Sequence, residues 1–144
     1  MMQSSRTDPT YAVADCGGTF TRLEIWRGAQ RVSAEKLGSA NTASISAEQA
    51  RAVYADVVAR VAEHEVAETY VATAAFDDTN AAGLAQEFVE LAREHRYSGR
   101  IHVVNDAAPL LLTGEAGTET VASIIGTGSA FWTCLLYTSD AADE

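Results

Sequence analysis

The sequence predicts an α/β domain built on a mixed five-stranded sheet, with three antiparallel strands followed by βαβα and with helices on both faces. Three observations carry this prediction. Tyr11–Asp15 is a short apolar run ending in Asp-Cys-Gly-Gly, a buried strand entering a tight turn. Two further strand patterns follow within one meander. Beyond residue 45, helical stripes alternate with short apolar runs, as in βα units.

The elements follow in order. Thr19–Trp26 alternates apolar and polar residues and reads as the second strand. Gly28-Ala29 makes a turn, and Arg31–Leu37 is the third strand. Ser46 and Gln49 have capping-box spacing, so a helix starts at Ser46. Val53, Val57 and Val61, with Tyr54 and Val58 beside them, form its buried stripe. Tyr70–Ala75 is a strand. Asp77, Asp78 and Thr79 are N-cap candidates for a second helix, whose apolar face is Leu84, Phe88 and Leu91 and whose end is at Ser98-Gly99. Ile101–Val104 reads as a strand buried on both faces. Ala107–Leu112 is a short helix, and Val121–Ile125 is a last strand with no partner inside the domain.

Composition excludes several classes. The chain has 144 residues and 47% hydrophobic content, enough for a core. Its net charge is -10 and Lys36 is its single lysine, which disfavours nucleic acid and anionic membrane as partners. A nucleotide could still bind through backbone N–H groups and a metal. No apolar run is long enough to span a bilayer, and residues 1–9 form a polar tail without a secretory pattern, so the expected location is cytoplasmic. Cys16 and Cys134 do not make a disulfide framework, and His64, His95 and His102 are scattered, as structural or solvated histidines are.

Three motifs could carry chemistry. Asp15-Cys16-Gly17-Gly18-Thr19 brings a carboxylate to a glycine turn whose N–H groups can approach an anion, with a hydroxyl at Thr19. Asp15 could hold Mg²⁺ through water; a plain hairpin with a solvated Asp is the alternative. Asn105-Asp106 ends a buried strand, where ligands of open α/β sheets meet the protein. Asp106 could accept a proton from a hydroxyl or cap a helix, or do both. Gly126-Thr127-Gly128-Ser129 is a second strand-to-glycine turn.

In this order and spacing the motifs resemble the actin-like sugar-kinase superfamily, within it the N-acetylglucosamine kinase branch grouped with BadF/BadG/BcrA/BcrD-type ATPases. That branch has Asp/Glu-Gly-Gly-Gly-Thr near its start, Asp-Ala after a buried strand and Gly-Thr-Gly-Ser further on. The resemblance runs from Tyr11 to Trp132. It implies a ribonuclease H-like lobe of the actin/hexokinase type over residues 10–117, and the start of a second lobe over 118–133. It implies ATP and Mg²⁺ as cofactors, an amino sugar as substrate and a homodimer of the full-length protein. By the same resemblance Gly17, Gly18 and Thr19 form one phosphate loop and Asp15 lies near the metal. Gly126, Thr127, Gly128 and Ser129 form the other loop, and Asp106 is the base. Asn41 and Asn105 face the sugar, although Asn41 also suits an ordinary loop turn.

The chain departs from the pattern at Cys16, which stands where a glycine is usual. It departs again at Thr73-Ala74-Ala75-Phe76, where the branch often has Ser and Gly near the sugar. Cys134–Glu144 fits neither the next strand nor the family, and reads like one frame of a sequencing adapter. The expectation is a gene that continues after about Thr133, and a 144-residue chain that binds ATP weakly without turnover. Competing roles carry their own marks. An activator ATPase would hold an iron–sulfur cluster through cysteines, and only Cys16 is a credible one. A sugar-sensing repressor would need a helix-turn-helix before Tyr11, where there is no room for it. A filament or chaperone relative would show large insertions between its strands.

Overall fold

The computed structural model describes residues 8–73 and 79–106 in full, and the backbone of 119–125 and 129–135. Its strands are β1 (Thr10–Cys16), β2 (Thr21–Arg27), β3 (Gln30–Leu37), β4 (Glu68–Thr73), β5 (Arg100–Val104), β6 (Glu119–Ile125) and β7 (Ser129–Leu135). Helix α1 (Ala47–Glu63) precedes β4, and α2 (Ala81–Glu94) precedes β5. The main sheet has the order β3-β2-β1-β4-β5, while β6 and β7 form a separate hairpin. β1 pairs antiparallel with β2 and parallel with β4, and β4 pairs parallel with β5.

Alternation along β1 fixes the two faces of this sheet. Ala12, Ala14 and Cys16 are buried, while Val13 and Asp15 are exposed between them. The buried face continues through Leu23, Ile25 and Val71 and meets both helices in one core cluster. Helix α1 supplies Val53, Tyr54, Val57, Val58 and Val61, and α2 supplies Leu84, Phe88 and Leu91, the stripes expected from their spacing. Tyr54 and Phe88 join the helices at 4.9 Å between ring centroids.

Both described helices therefore share a face, which meets the expectation of helices on both faces on one side only. Chain handedness explains this. The crossovers β3–α1–β4 and β4–α2–β5 step across the sheet in the same direction, and right-handed crossovers then place both helices on one side. The helix expected over Ala107–Leu112 lies outside the described residues. The other face carries stacked pairs, Tyr11 on Trp26 and Tyr70 on His102.

Local chemistry sets the helix ends. Ser46 and Gln49 form the reciprocal capping box that their spacing predicts. For α2 the cap is Asn80 rather than Thr79, and its side chain makes no capping bond; Asp77 and Asp78 lie outside the described residues. This helix also ends at Glu94, ahead of Ser98-Gly99. The stop is a left-handed Arg96 (φ 55°), with Tyr97 N–H donating to the Ala92 carbonyl at 2.8 Å and Arg96 N–H to Arg93 at 3.2 Å. Helix α1 ends the same way: Glu65 has φ 52°, and Val66 N–H reaches the Val61 carbonyl at 3.0 Å. Both are Schellman ends in which the residue after the turn, Val66 or Tyr97, is buried.

Three further strand expectations need correction. Among the described residues β5 lies at the edge of the sheet, with Arg100 exposed and the rest half-buried, and His102 stands on the open face within its apolar run. β4 begins at Glu68, and Ala74 and Ala75 fall outside the described residues. β6 does have a partner, β7, which runs through Cys134 to Leu135; residues 136–144 are outside the description. No described helix is long and apolar enough to cross a membrane.

Two outcomes follow for stability. Glu65→Gly removes a left-handed side chain at an exposed position, and thermal unfolding should show a gain of about 0.5–1 kcal/mol after the larger chain entropy of glycine is counted. Gly99→Ala should do the reverse. Its Cβ would collide with the Val66 carbonyl and the Tyr97 ring, and a loss of about 1–3 kcal/mol is expected in a denaturant titration.

Candidate functional site

β1, β3, β4 and β5 are mutually parallel, so their C-terminal ends share one edge of the sheet. The last rungs align Leu37, Thr21, Cys16 and Thr73, with Ala72 beside Val104. From this edge emerge Gly17-Gly18-Thr19 after β1, Gly38-Ser39-Ala40-Asn41 after β3, and Asn105-Asp106 after β5. The fold thus gathers residues that lie far apart in sequence. Asp15 stands one residue before the edge, exposed on the open face. Asp106 is half-buried, and both carboxylates act electrostatically on the Cys16 thiol, which places all three in one neighbourhood.

The Gly17–Phe20 turn is closed by its own backbone. Gly17 N–H donates to the Phe20 carbonyl at 3.1 Å, so this amide shapes the turn instead of facing a ligand. The Gly18 carbonyl is held from the other side. Ser39 Oγ donates to it at 3.1 Å and Asn41 Nδ2 at 3.5 Å. Asn41 Oδ1 in turn accepts from Ala43 N–H at 3.1 Å, and its own N–H donates to Ser39 Oγ at 3.1 Å. The Ser39 and Asn41 donors fix the orientation of the Gly18 carbonyl within the turn. Asn41, expected to face a sugar, is engaged here in positioning the turn. Ser39 was not singled out from sequence; its serine in a loop after a strand carries no signal until the loop is seen against Gly18.

Beneath the turn lies a buried polar layer that sequence reasoning also missed. Tyr54 Oη and Thr73 Oγ1 share a hydrogen bond at 3.2 Å, tying α1 to the end of β4. The Thr21 hydroxyl is fully buried and, among the described residues, the group that faces it is the Cys16 thiol, a weak partner at best. Burial pushes the Cys16 thiol from an ordinary 9.0 up to about 12, opposed in part by Thr21 and reinforced by Asp15 and Asp106. A thiol so held stays protonated and chemically inert. Cys16 is thus a small core residue, which explains how it replaces a glycine in the motif.

Other expected members cannot be placed. Gly126, Thr127 and Gly128 lie outside the described residues, as does Phe76; Ser129 opens β7, and Ile125 pairs with it across the hairpin. Among the described residues no three His, Cys, Asp or Glu side chains group as metal ligands. One carboxylate, Asp15, fits an ion that keeps its waters and takes other ligands from phosphate, as magnesium does, and does not fit a caged ion. A groove of about 590 Å³ between α2 and β5 lies elsewhere, and its described lining, which includes Ala85, Phe88, Val89 and Ile101, is apolar.

No protein-family model matches the sequence, and no curated relative does. Among solved structures, a Porphyromonas gingivalis protein provisionally assigned as an N-acetylglucosamine kinase aligns at a TM-score of 0.62 with 22% identity, over 88% of this chain and 44% of that one. At that identity the likeness shows the fold alone: an α/β lobe of the ribonuclease H-like type, with a mixed five-stranded sheet. The chain spans under half the length of this neighbour. Thermus thermophilus RuvC (TM-score 0.45, 13% identity, 73% of this chain and 69% of that one) and an Aquifex aeolicus PPX-GPPA enzyme (0.43, 14%, 94% and 55%) align more loosely, too loosely to carry argument.

The buried thiol sets a pH test. Its folded pKa lies above the ordinary value, so the folded state holds the proton more tightly. That contribution is complete below about pH 9 and is lost as pH rises toward 12. Unfolding midpoints measured from pH 8 to 11.5 should fall, and Cys16→Ala should flatten part of the decline. The raised hydroxyls of Tyr54 and Tyr97 leave a remainder of the same sign. An identical slope in the variant would show that the thiol is not held in this way.

Proposed function

We propose that this chain forms the phosphate-binding lobe of an ATP-dependent kinase acting on an amino sugar such as N-acetylglucosamine. The observation that carries the reading is the shared sheet edge, where a carboxylate before a braced glycine turn meets Asn105-Asp106 at the end of β5. A neighbour of the same fold, provisionally assigned to that activity, supports the choice of substrate class.

In this reading Gly18 and Thr19 face the nucleotide phosphates, and Gly126–Ser129 supplies the opposing clamp. Asp15 would be the residue that holds Mg²⁺ through water, and the ion would supply charge neutralisation at the phosphates. Asn105 orients the sugar, and Asn41 holds the turn against which it binds. Asp106 takes the proton from the sugar hydroxyl as its oxygen bonds to the γ-phosphorus and the bond to the ADP oxygen breaks. A second lobe closing over the nucleotide would exclude water from the transfer. An activator ATPase is less well supported, because Cys16 is buried and protonated and cannot reach an iron–sulfur cluster without unfolding.

The test uses the product of the whole gene, resequenced through the codon for Glu144. Sugar-dependent ADP release should fall on the order of 10²- to 10⁴-fold in Asp106→Asn while nucleotide binding is kept. Turnover that survives this substitution would remove Asp106 as the base and the reading with it.

A further inference from the structure

Tyr54 and Thr73 place two hydroxyls inside the core. Tyr54 is 2% exposed and Thr73 1%. Tyr54 belongs to a cluster that includes Val57, Val71 and Phe88. A Phe–Val pair would fill nearly the same space and would spare both hydroxyls their desolvation. What the hydroxyls add is direction. At 3.2 Å, the bond between Tyr54 Oη and Thr73 Oγ1 fixes where the end of β4 sits under α1.

The end of β4 is a sensitive place to fix. Thr73 pairs with Cys16, the residue before Gly17, and Ala72 pairs with Val104, the residue before Asn105-Asp106. The last two residues of β4 thus stand between the glycine turn and Asp106, and their position sets the spacing of the two. Helix α1 also reaches the turn from the β3 side. Ser39 Oγ and Asn41 Nδ2 hold the Gly18 carbonyl, and the Asn41 carbonyl accepts from Ser44 N–H at 3.0 Å and Ile45 N–H at 3.1 Å, directly before the Ser46 cap of the helix. One element therefore grips the turn from both sides, through its lead-in and through Tyr54. The Tyr54 ring is itself seated on Phe88, at 4.9 Å between centroids, so its hydroxyl is aimed from a packed base.

We propose that Tyr54 is a positioning residue: through Thr73 its hydroxyl sets the spacing between the Gly17–Phe20 turn and Asp106. Being buried, it acts without touching a ligand. The catalytic consequence rests on the kinase reading, in which that spacing is the gap the phosphoryl group crosses, and reacting groups tolerate little misplacement. The placement of the turn itself does not rest on that reading.

Two measurements separate these claims. Tyr54→Phe removes one hydroxyl and keeps the ring on Phe88. Thr73→Val removes the other, and Thr73→Ser keeps it. In the isotope-labelled 144-residue chain, the NMR amide signals of Gly17, Gly18, Thr19 and Asp106 should move in Tyr54→Phe and in Thr73→Val. They should stay near their wild-type positions in Thr73→Ser and move no further in the double Phe–Val variant than in either single one. Thermal unfolding establishes that each variant is folded at the temperature used; if Thr73→Val is not, Tyr54→Phe against Thr73→Ser carries the comparison. Signals that change only within α1 and β4, or as much in Thr73→Ser as in Tyr54→Phe, overturn the proposal. In the product of the whole gene, Tyr54→Phe should lower kcat roughly ten- to hundredfold, with the KM of ATP and of the sugar each kept within about twofold, since both substrates still bind but meet out of line. An unchanged kcat in an active enzyme, even with a lower unfolding temperature, leaves Tyr54 a structural residue and overturns the proposal too. A wild-type product without sugar-dependent turnover sinks the kinase reading instead, and turn amides that move in Tyr54→Phe then still support the positioning role.

Discussion

The pairing of β1 with both β2 and β4 is the constraint on which the molecule depends. β1 sits at the centre of the five-stranded sheet, antiparallel to one neighbour and parallel to the other. The antiparallel side forces a tight hairpin at Gly17–Phe20, and the parallel side forces the α1 crossover that covers the core. Its final rung, Thr21–Cys16–Thr73, joins the two sides. Every candidate functional residue of the main sheet that can be placed lies on that rung, beside it, or in a loop leaving the same edge, while Ser129 opens β7 in the separate hairpin.

Much of the scaffold was legible because its signals are local. Capping-box spacing at Ser46 and Gln49 and the four-residue recurrence of Val53, Val57 and Val61 are properties of a single turn or stripe. The misreadings were of features that depend on distant partners or lack their usual residue. Glu65 and Arg96 end helices in the left-handed conformation without glycine, so the end of α2 looked as though it waited for Gly99. What fixes those ends is the burial of Val66 and Tyr97 against the core, a tertiary gain that exceeds the local backbone cost. Strand order is equally invisible in sequence. Once it is known, handedness puts α1 and α2 on one face and leaves Tyr11, Trp26, Tyr70 and His102 on the other.

The candidate site divides along the same line. Asp15, Gly17–Thr19 and Asn105-Asp106 could be picked out because strand ends followed by Gly, Asn or Asp are informative in themselves. The supports could not. Ser39 and Asn41 matter because they reach the Gly18 carbonyl from another strand end, and Tyr54 because it reaches Thr73 from a helix. Cys16 looked like a departure from a glycine motif. Its side chain points into the core, where a small thiol packs as well as any apolar group, so the motif tolerates it.

The opposed faces of β1 also resolve an electrostatic difficulty. A chain with twice as many acidic as basic residues is a poor host for a polyanion, since its overall field repels the ligand. Short-range donors can offset that field if they are fixed and close. Under the proposed function, a turn braced through the Gly18 carbonyl would present N–H dipoles at little reorganisation cost, and Asp15 on the exposed side would engage a hydrated cation. On the buried side, at the next residue, the thiol beneath the turn carries no charge, so the floor of the site adds nothing to the repulsion. Alternation along one strand thus separates a charged, solvated role from a neutral, packed one within two consecutive residues, Asp15 and Cys16. An ionisable carboxylate in place of Cys16 would be buried without a partner and would set a second negative charge under the turn, working against both the fold and the ligand.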